Sequence, residues 1–441
     1  MNSRLTFGIL RRTSVAIVFL TFGLSVAFYH FPVLATDANI VSTSTREGRL
    51  AVFDDVWSAI NDRYYDRNFH GLDWGAQRTT FRALAMETQS GPELYMLLRR
   101  MIAPLNDPHT RVFSPEEKFD WWRPRFVSTG IALKEVGGLP TVVQVEKGSA
   151  PDRAGLRAGD VITVVNAEPA SAMVNRRLQR GVVTTGSARS RAFASILEGP
   201  AETTVEVRWQ GKQGQGSAQF KRRWQHRDLG LRVHKENGDY FIVEIDAFTN
   251  VIARDFANLL RERIKEMRGI VIDLRSNGGG DAGAMTSIAS AFLGQGRNLG
   301  QFTDRFGSGF TISTLSTFVL LADRSAQSRL ESQLPLVVLT SERTASAAEI
   351  FIAALKTGRR AMIIGTETCG CVLAIRNRHV LPDGGLLDIS EMDYHTASGE
   401  RLEGHGITPD KTVALERSDL YFGKDRALEA AIAKLRSVRG R

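Results

Sequence analysis

Apolar residues recur along the chain with two periods, and the changeover between them marks out its parts. Between residues 50 and 103 they fall three and four apart, as Val52, Phe53, Val56, Trp57 and Ile60 and again as Leu94, Leu97, Leu98 and Met101. That is the stripe of a helix laid on a core, so a small helical N-terminal domain is expected over 46–117. From 118 to 225 the pattern changes to short apolar or alternating runs at 141–145 and 161–165, separated by Gly148-Ser149-Ala150-Pro151 through Gly159-Asp160. A β domain is the expectation there. From 226 to 420 the two periods alternate: runs at 240–245, 270–274, 334–339 and 362–364 interleave with helical stretches at 253–265, 282–292 and 345–355. Such alternation buries a sheet beneath helices, and the chain as a whole reads as α/β multidomain. Residues 421–441 add an amphipathic helix and tail.

The first 35 residues fit none of these parts. Arg4, Arg11 and Arg12 precede an uncharged apolar run from Val15 to Phe28, and Val33-Leu34-Ala35 offers a small-residue cleavage site. This is an export signal, with a retained inner-membrane anchor as the other reading, because the uncharged stretch is nearly long enough to span a bilayer. A periplasmic or otherwise exported protein follows, with membrane association through the N-terminus in the anchored form. The formal charge of +9 includes those three arginines and no acidic partner, so it falls to +6 (9 − 3) without them. The remaining basic residues form no run joined to aromatic platforms, which argues against nucleic-acid binding. At 441 residues, two or three domains are expected.

Ser346 carries the most chemical information. It lies in Thr344-Ala345-Ser346-Ala347-Ala348-Glu349, after the apolar run at 334–339 and before a helical stretch. A strand that turns at once into a helix sets a hydroxyl at a sheet edge with unpaired backbone N–H groups around it, which suits a nucleophile and half an oxyanion hole. Ser346-x-x-Glu349 is also a capping box, and that bland function competes. A second loop, Ser276-Asn277-Gly278-Gly279-Gly280-Asp281, follows the run 270–274, and its glycines let backbone approach a ligand closely. As a pattern Gly278-x-Gly280-x-x-Gly283 also satisfies a dinucleotide fingerprint, but no clear acidic residue closes a following strand and the N-terminus points to export.

Together these stretches resemble the C-terminal processing (tail-specific) serine peptidases and their tricorn-core-like relatives. The resemblance takes in Phe53 to Trp74, Leu105 to Thr110, Gly148 to Asn166, Ile270 to Gly280, Thr344 to Glu349 and Gly399 to Asp410. It implies a PDZ-like domain over 118–225 and a peptidase core with a ClpP/crotonase-like sheet and flanking helices over 226–420. Thr129, Gly130 and Ile131 would then form the loop that receives a peptide's terminal carboxylate, since such grooves bind by strand addition and backbone N–H groups. The arginine-rich stretch 175–191 reads as a solvated surface helix, with an insertion on the groove side as the alternative. The resemblance further implies Ser346 as nucleophile and the N–H groups of Gly279 and Ala347 as oxyanion donors. Glu349 is expected to be structural, with a supporting part in the site as the alternative.

One departure matters. Where the processing enzymes place a lysine base, in Gly-x-Lys-Thr-Phe-Gly-Lys, this chain has Gly365-Thr366-Glu367-Thr368-Cys369-Gly370-Cys371, with Cys371 at the lysine's place. The tricorn-like relatives take a histidine from the preceding domain, oriented by a late glutamate. His109, in Leu105-Asn106-Asp107-Pro108-His109-Thr110, matches the first, and Glu403, before Gly404-His405-Gly406, matches the second. A neutral imidazole can accept the hydroxyl proton while a carboxylate fixes its tautomer. His405 is read as a turn residue, and Glu403 as a mere turn residue stands as the bland alternative. Export favours oxidation of Cys369 and Cys371, the only two cysteines, while a single intervening residue opposes a relaxed bridge. No metal site and no cofactor is expected.

Two functions follow. One is an exported serine endopeptidase acting on proteins or peptides with unstructured C-termini. The other is an inactive PDZ adaptor that has lost the family lysine.

Overall fold

The structure, a computed structural model, describes residues 41–117, 120, 123–179, 186–236, 239–314, 330 and 334–438, so the expected export signal lies outside the described residues. Among those described, no helix is long and apolar enough to cross a membrane. The architecture is mixed α/β, with several sheets and, on both faces of the mostly parallel one, helices.

Three helices, Arg46–Arg63, Trp74–Glu87 and Gly91–Ile102, open the chain. Each begins at a side-chain cap, from Thr45, Asp73 and Ser90, which supplies an acceptor to an otherwise orphan N–H. Their apolar stripes meet in a core of Val52, Phe53, Val56, Ile60, Leu94, Leu98 and Met101. That core is completed from far along the chain by Leu381, Leu387 and Ile389. Short strand Arg111–Phe113 pairs antiparallel with Leu386–Asp388, so the segment after the helices is pinned to the same distant residues.

The middle of the chain folds as an antiparallel sheet ordered Ile131–Val136, Leu139–Val145, Val161–Val165, Thr204–Gly211, Gly214–Lys221. Strand Ile131–Val136 is at the edge, and helix Gly186–Ala194 lies beside it. Arg189 of that helix makes a two-point contact to Glu135 of the strand, both bonds 2.6 Å.

The third sheet holds the rest of the molecule together. Its order is Leu231–Glu236, Tyr240–Ile245, Gly269–Asp273, Leu336–Thr340, Met362–Gly365, Lys411–Thr412; the first pair is antiparallel and the others parallel. Parallel strands inside a sheet are covered on both faces, and Tyr240–Ile245, Gly269–Asp273, Leu336–Thr340 and Met362–Gly365 are mostly apolar for that reason, unlike the exposed edge pair Lys411–Thr412. Ile270, Ile272, Leu336, Val338 and Ile363 face helices Asn250–Arg263, Ala282–Leu293 and Ala347–Thr357. Val271, Val337, Leu339 and Ile364 face the opposite way, onto Ala427, Ala431, Ile432 and Leu435 of helix Arg426–Val438. All parallel strands run the same way, so the loops at their C-terminal ends gather along one rim, where open α/β sheets place their sites.

Candidate functional site

Ser346 stands at that rim, between strand Leu336–Thr340 and helix Ala347–Thr357. Its backbone has φ 56° and ψ −125°, a conformation that side-chain-bearing residues avoid and that persists only where the surroundings impose it. The surroundings are visible. Ser341 Oγ donates to Arg275 O at 2.6 Å, Thr344 Oγ1 to Leu274 O at 2.8 Å, and Ala345 N–H to Asn277 O at 3.1 Å. Ser346 N–H donates to Cys371 O at 2.8 Å and lies 3.2 Å from Glu349 Oε2. Its hydroxyl makes no capping hydrogen bond to the helix. The expected capping box is therefore in place, with Glu349 accepting the Ser346 N–H and the Ser346 side chain set toward the Glu349 N–H without a full hydrogen bond to it.

Gly279 faces Ser346 directly. With φ at 105° it lies in the region that favours glycine, and a Cβ built there would stand 2.7 Å from Ser346 Cβ and 3.2 Å from Ala347 N. Ala347 is the first residue of its helix, so its N–H has no intrahelical acceptor. Gly279 differs. Its N–H donates to the buried Asn277 Oδ1 at 2.8 Å, and Asn277 Nδ2 donates to Ile245 O at 3.0 Å. In this state the Gly279 donor expected for an oxyanion is committed to Asn277.

Glu349 is fully buried and accepts from Thr368 Oγ1 (2.5 Å), Gly370 N–H (2.7 Å) and Cys371 N–H (2.9 Å). Burial raises its carboxyl to about 6 and these bonds hold it from rising further. It thus ties the serine turn to 368–371. Cys369 and Cys371 are joined as a disulfide in that segment, so Cys371 fills the lysine's expected place with a group that neither titrates nor accepts a proton.

His109 and Glu403 lie in other parts of the chain. His109 follows helix Gly91–Ile102 on a loop fixed by Asp107, whose Oδ1 accepts the His109 N–H at 2.8 Å. Burial lowers the imidazole below its usual value, partly offset by the Asp107 carboxylate. Glu403 accepts from Val372 N–H at 2.7 Å and Leu373 N–H at 3.2 Å, and burial, reinforced by the charges of Asp107 and Glu349, pushes its carboxyl up to about 8. Arg191, on helix Gly186–Ala194, is near enough for its charge to act on His109, and in turn to feel Asp107 and Glu403. The neighbouring Ser190 reaches Glu342, four residues before Ser346, at 3.4 Å, and Lys134 of the edge strand pairs with the same carboxylate at 2.8 Å.

Gly279 and Glu349 thus each meet the Ser346 turn, and Glu403 and His109 share Asp107 as a neighbour. No hydrogen bond joins Ser346 to His109 or His109 to Glu403. Thr129 and Gly130 lead into the edge strand, and Ile131 is its first residue. Gly130 has φ 85°, its N–H donates to Ser128 Oγ at 2.9 Å, and Thr129 Oγ1 is buried without a partner. His405 is exposed, its Nδ1 3.0 Å from Glu403 O, in keeping with a turn residue.

A strained serine at the C-terminal rim of a parallel sheet, backed by a glycine loop, is the arrangement that presents a serine as a nucleophile. Comparison with known proteins carries this further. Residues 239–413 match the model of peptidase family S41, and residues 46–103 match the tricorn protease C1 domain. Residues 239–413 thus form a peptidase family S41 domain, which makes this a serine-type peptidase. It is 26% identical over 389 residues to the chloroplastic carboxyl-terminal-processing peptidase 3 of Arabidopsis thaliana, covering 81% of this chain and 67% of that one. It is also 26% identical over 318 residues to a probable CtpA-like serine protease of Staphylococcus aureus, covering 71% and 58%. Among solved structures, the photosystem II D1 C-terminal processing protease is 25% identical with a TM-score of 0.52, covering 84% of this chain and 93% of its own. Mature CPAF shares the fold at 14% identity and a TM-score of 0.67, over 90% and 99%.

Sequence reasoning passed over three residues near the site. Asn277 was visible only as part of a glycine loop, and Arg191 only as one arginine of many. Asp107 carried a signal, since an aspartate before Pro-x commonly bonds the backbone two residues on.

Proposed function

We propose that this peptidase is an exported endopeptidase that binds unstructured protein C-termini in a PDZ-like domain and cleaves peptide bonds by acyl transfer. Ser346 attacks the carbonyl carbon, His109 takes its proton and returns it to the leaving amine, and Glu403 stabilises the imidazolium. The Ala347 N–H receives the oxyanion, joined by Gly279 N–H once Asn277 shares or releases it. Glu349 holds the turn. The observation that carries this reading is the φ of 56° at Ser346, held against the Gly279 backbone, because a helix can be capped by a serine without such strain.

The PDZ-like reading draws support from the open edge of strand Ile131–Val136, opposite helix Gly186–Ala194 and next to the Thr129-Gly130-Ile131 loop. An added peptide strand would pair there. The adaptor reading rests on Cys371 alone.

The deciding test is labelling of the purified chain by a fluorophosphonate, which reacts only with an activated serine. Labelling of the parent that is lost in Ser346→Ala supports the peptidase. A parent that fails to label, in a fold shown intact by circular dichroism, favours the adaptor.

A further inference from the structure

His109 lacks what a serine-activating imidazole needs on its far side. If Nε2 is to accept the Ser346 proton, Nδ1 must carry hydrogen and hold it against an acceptor, or the ring can turn and take the wrong tautomer. Nδ1 is buried without a hydrogen-bond partner. Glu403 has one oxygen engaged by two backbone N–H groups and makes no hydrogen bond to the ring. Asp107 is the carboxylate at hand. Its Oδ1 lies 3.8 Å from His109 Nδ1, with the aspartate side chain 1% exposed and the histidine 14%.

Asp107 is itself held on both oxygens. Oδ1 accepts the His109 N–H, and Oδ2 accepts Thr110 Oγ1 at 2.5 Å. Thr110 Oγ1 in turn accepts Ser390 N–H at 3.1 Å, and Ser390 O accepts Tyr65 N–H at 2.9 Å. The loop is therefore fixed to two distant parts of the chain, and its carboxylate cannot drift from the ring. Other groups around His109 are Arg111 on strand Arg111–Phe113, Asp388 on the strand paired with it, and Arg191 on helix Gly186–Ala194. Tyr64, at the end of helix Arg46–Arg63, buries an unpartnered hydroxyl within reach of the Asp107 and Glu403 charges.

We infer that Asp107 is a positioning residue that holds His109 Nδ1–H and so fixes the tautomer in which Nε2 faces Ser346. Closing the 3.8 Å separation to an ordinary hydrogen bond requires less than about 1 Å of movement. During acylation the Oγ–H proton of Ser346 passes to Nε2 as the Oγ–carbonyl bond forms, Nδ1–H stays with Asp107, and the Nε2 proton leaves with the amine as its C–N bond breaks. Glu403 supplies charge nearby once it ionises, and Asp107 supplies direction. The inference rests on the reading of Ser346 and His109 as nucleophile and base.

Asp107→Asn tests it in the full chain, because the amide oxygen can keep the turn bond at the Oδ1 position but faces Nδ1–H as a neutral acceptor, without the charge that holds the ring and stabilises the imidazolium. The expected result is a fall in turnover and in fluorophosphonate labelling on the order of 10²-fold or more, with KM within a few-fold and the melting temperature near the parent's. The acid limb of the rate should move to lower pH, since a negative charge that raised the imidazole is gone. Asp107→Glu, which retains the carboxylate, should recover part of the loss. Parental turnover in Asp107→Asn would overturn the inference, as would a loss that tracks a lowered melting temperature with the acid limb unmoved. If Ser346→Ala or His109→Ala leaves labelling intact, the underlying reading fails instead, and the two failures are told apart.

Discussion

Gly279 and Ser346 are packed so closely that a methyl group on the glycine would stand 2.7 Å from the serine Cβ. The backbone of the glycine loop is therefore the wall against which the serine turn is pressed, and the turn's φ of 56° is sustained by that contact and by its bonds to 274–277. Gly279→Ala should displace the hydroxyl. It also places a side chain at φ 105°, so a stability loss of about 1–3 kcal/mol is expected together with loss of fluorophosphonate labelling. Denaturant titration and labelling kinetics on the same preparation check both.

The pH dependence should carry two separate rises. His109 is lowered by burial, so its neutral, proton-accepting form persists below the usual value of about 6.5, and the first rise should lie on the acid side of that. Glu403, pushed up to about 8, is mostly protonated at neutral pH and gains its charge only above. A second rise through about 8 is expected, and Glu403→Gln should erase it while leaving the first. A rate profile from pH 4 to 10 for both proteins decides the matter.

The same glutamate predicts a stability effect of definite sign. Its folded value lies above its ordinary 4.5, so the native state binds the proton more tightly than the unfolded chain. That contribution is fully present below about 4.5 and is lost as pH rises through about 8. Glu403→Gln should thus gain stability relative to the parent at pH 9 and not at pH 4, as read by thermal unfolding at the two values.

Arg191 acts on His109 in the opposite direction to Asp107, since its positive charge lowers the imidazole further. Arg191→Ala should therefore shift the acid limb upward. A limb that moves downward, or one that stays fixed, would remove Arg191 from the site.

The disulfide touches the site through backbone rather than sulfur. Gly370 and Cys371 N–H groups bond Glu349, and Cys371 O receives Ser346 N–H, none of which requires the bridge. Changing both cysteines to serine should keep turnover within a few-fold and cost about 1–2 kcal/mol, the scale expected for so short a loop. Steady-state kinetics and chemical denaturation of the double variant test this.

The sequence made some of this architecture readable and hid the rest for physical reasons. Apolar runs at 240–245 and 270–274 correspond to strands Tyr240–Ile245 and Gly269–Asp273, because strands buried on both faces are marked by hydrophobicity alone. The helix expected from 345 begins at Ala347, since Ser346 takes a left-handed turn that no propensity scale anticipates. Glu349 was readable as a cap, yet its bonds to Thr368, Gly370 and Cys371 join positions some twenty residues apart and have no local signature. The arginine-rich stretch shows the same gap. Its composition reads as a solvated surface, and only the placement of helix Gly186–Ala194 beside the edge strand brings Arg191 toward His109 and Glu403.

The core of the first three helices is finished by Leu381, Leu387 and Ile389, and the His109 loop is tied through Thr110 to Ser390. During synthesis the N-terminal helices therefore emerge long before the residues that complete them. A nascent or truncated chain ending before this region carries Ser346 and His109 without the anchor that fixes the histidine loop. The order in which the polypeptide is made thus leaves the histidine loop without its anchor until nearly the whole molecule is free to fold.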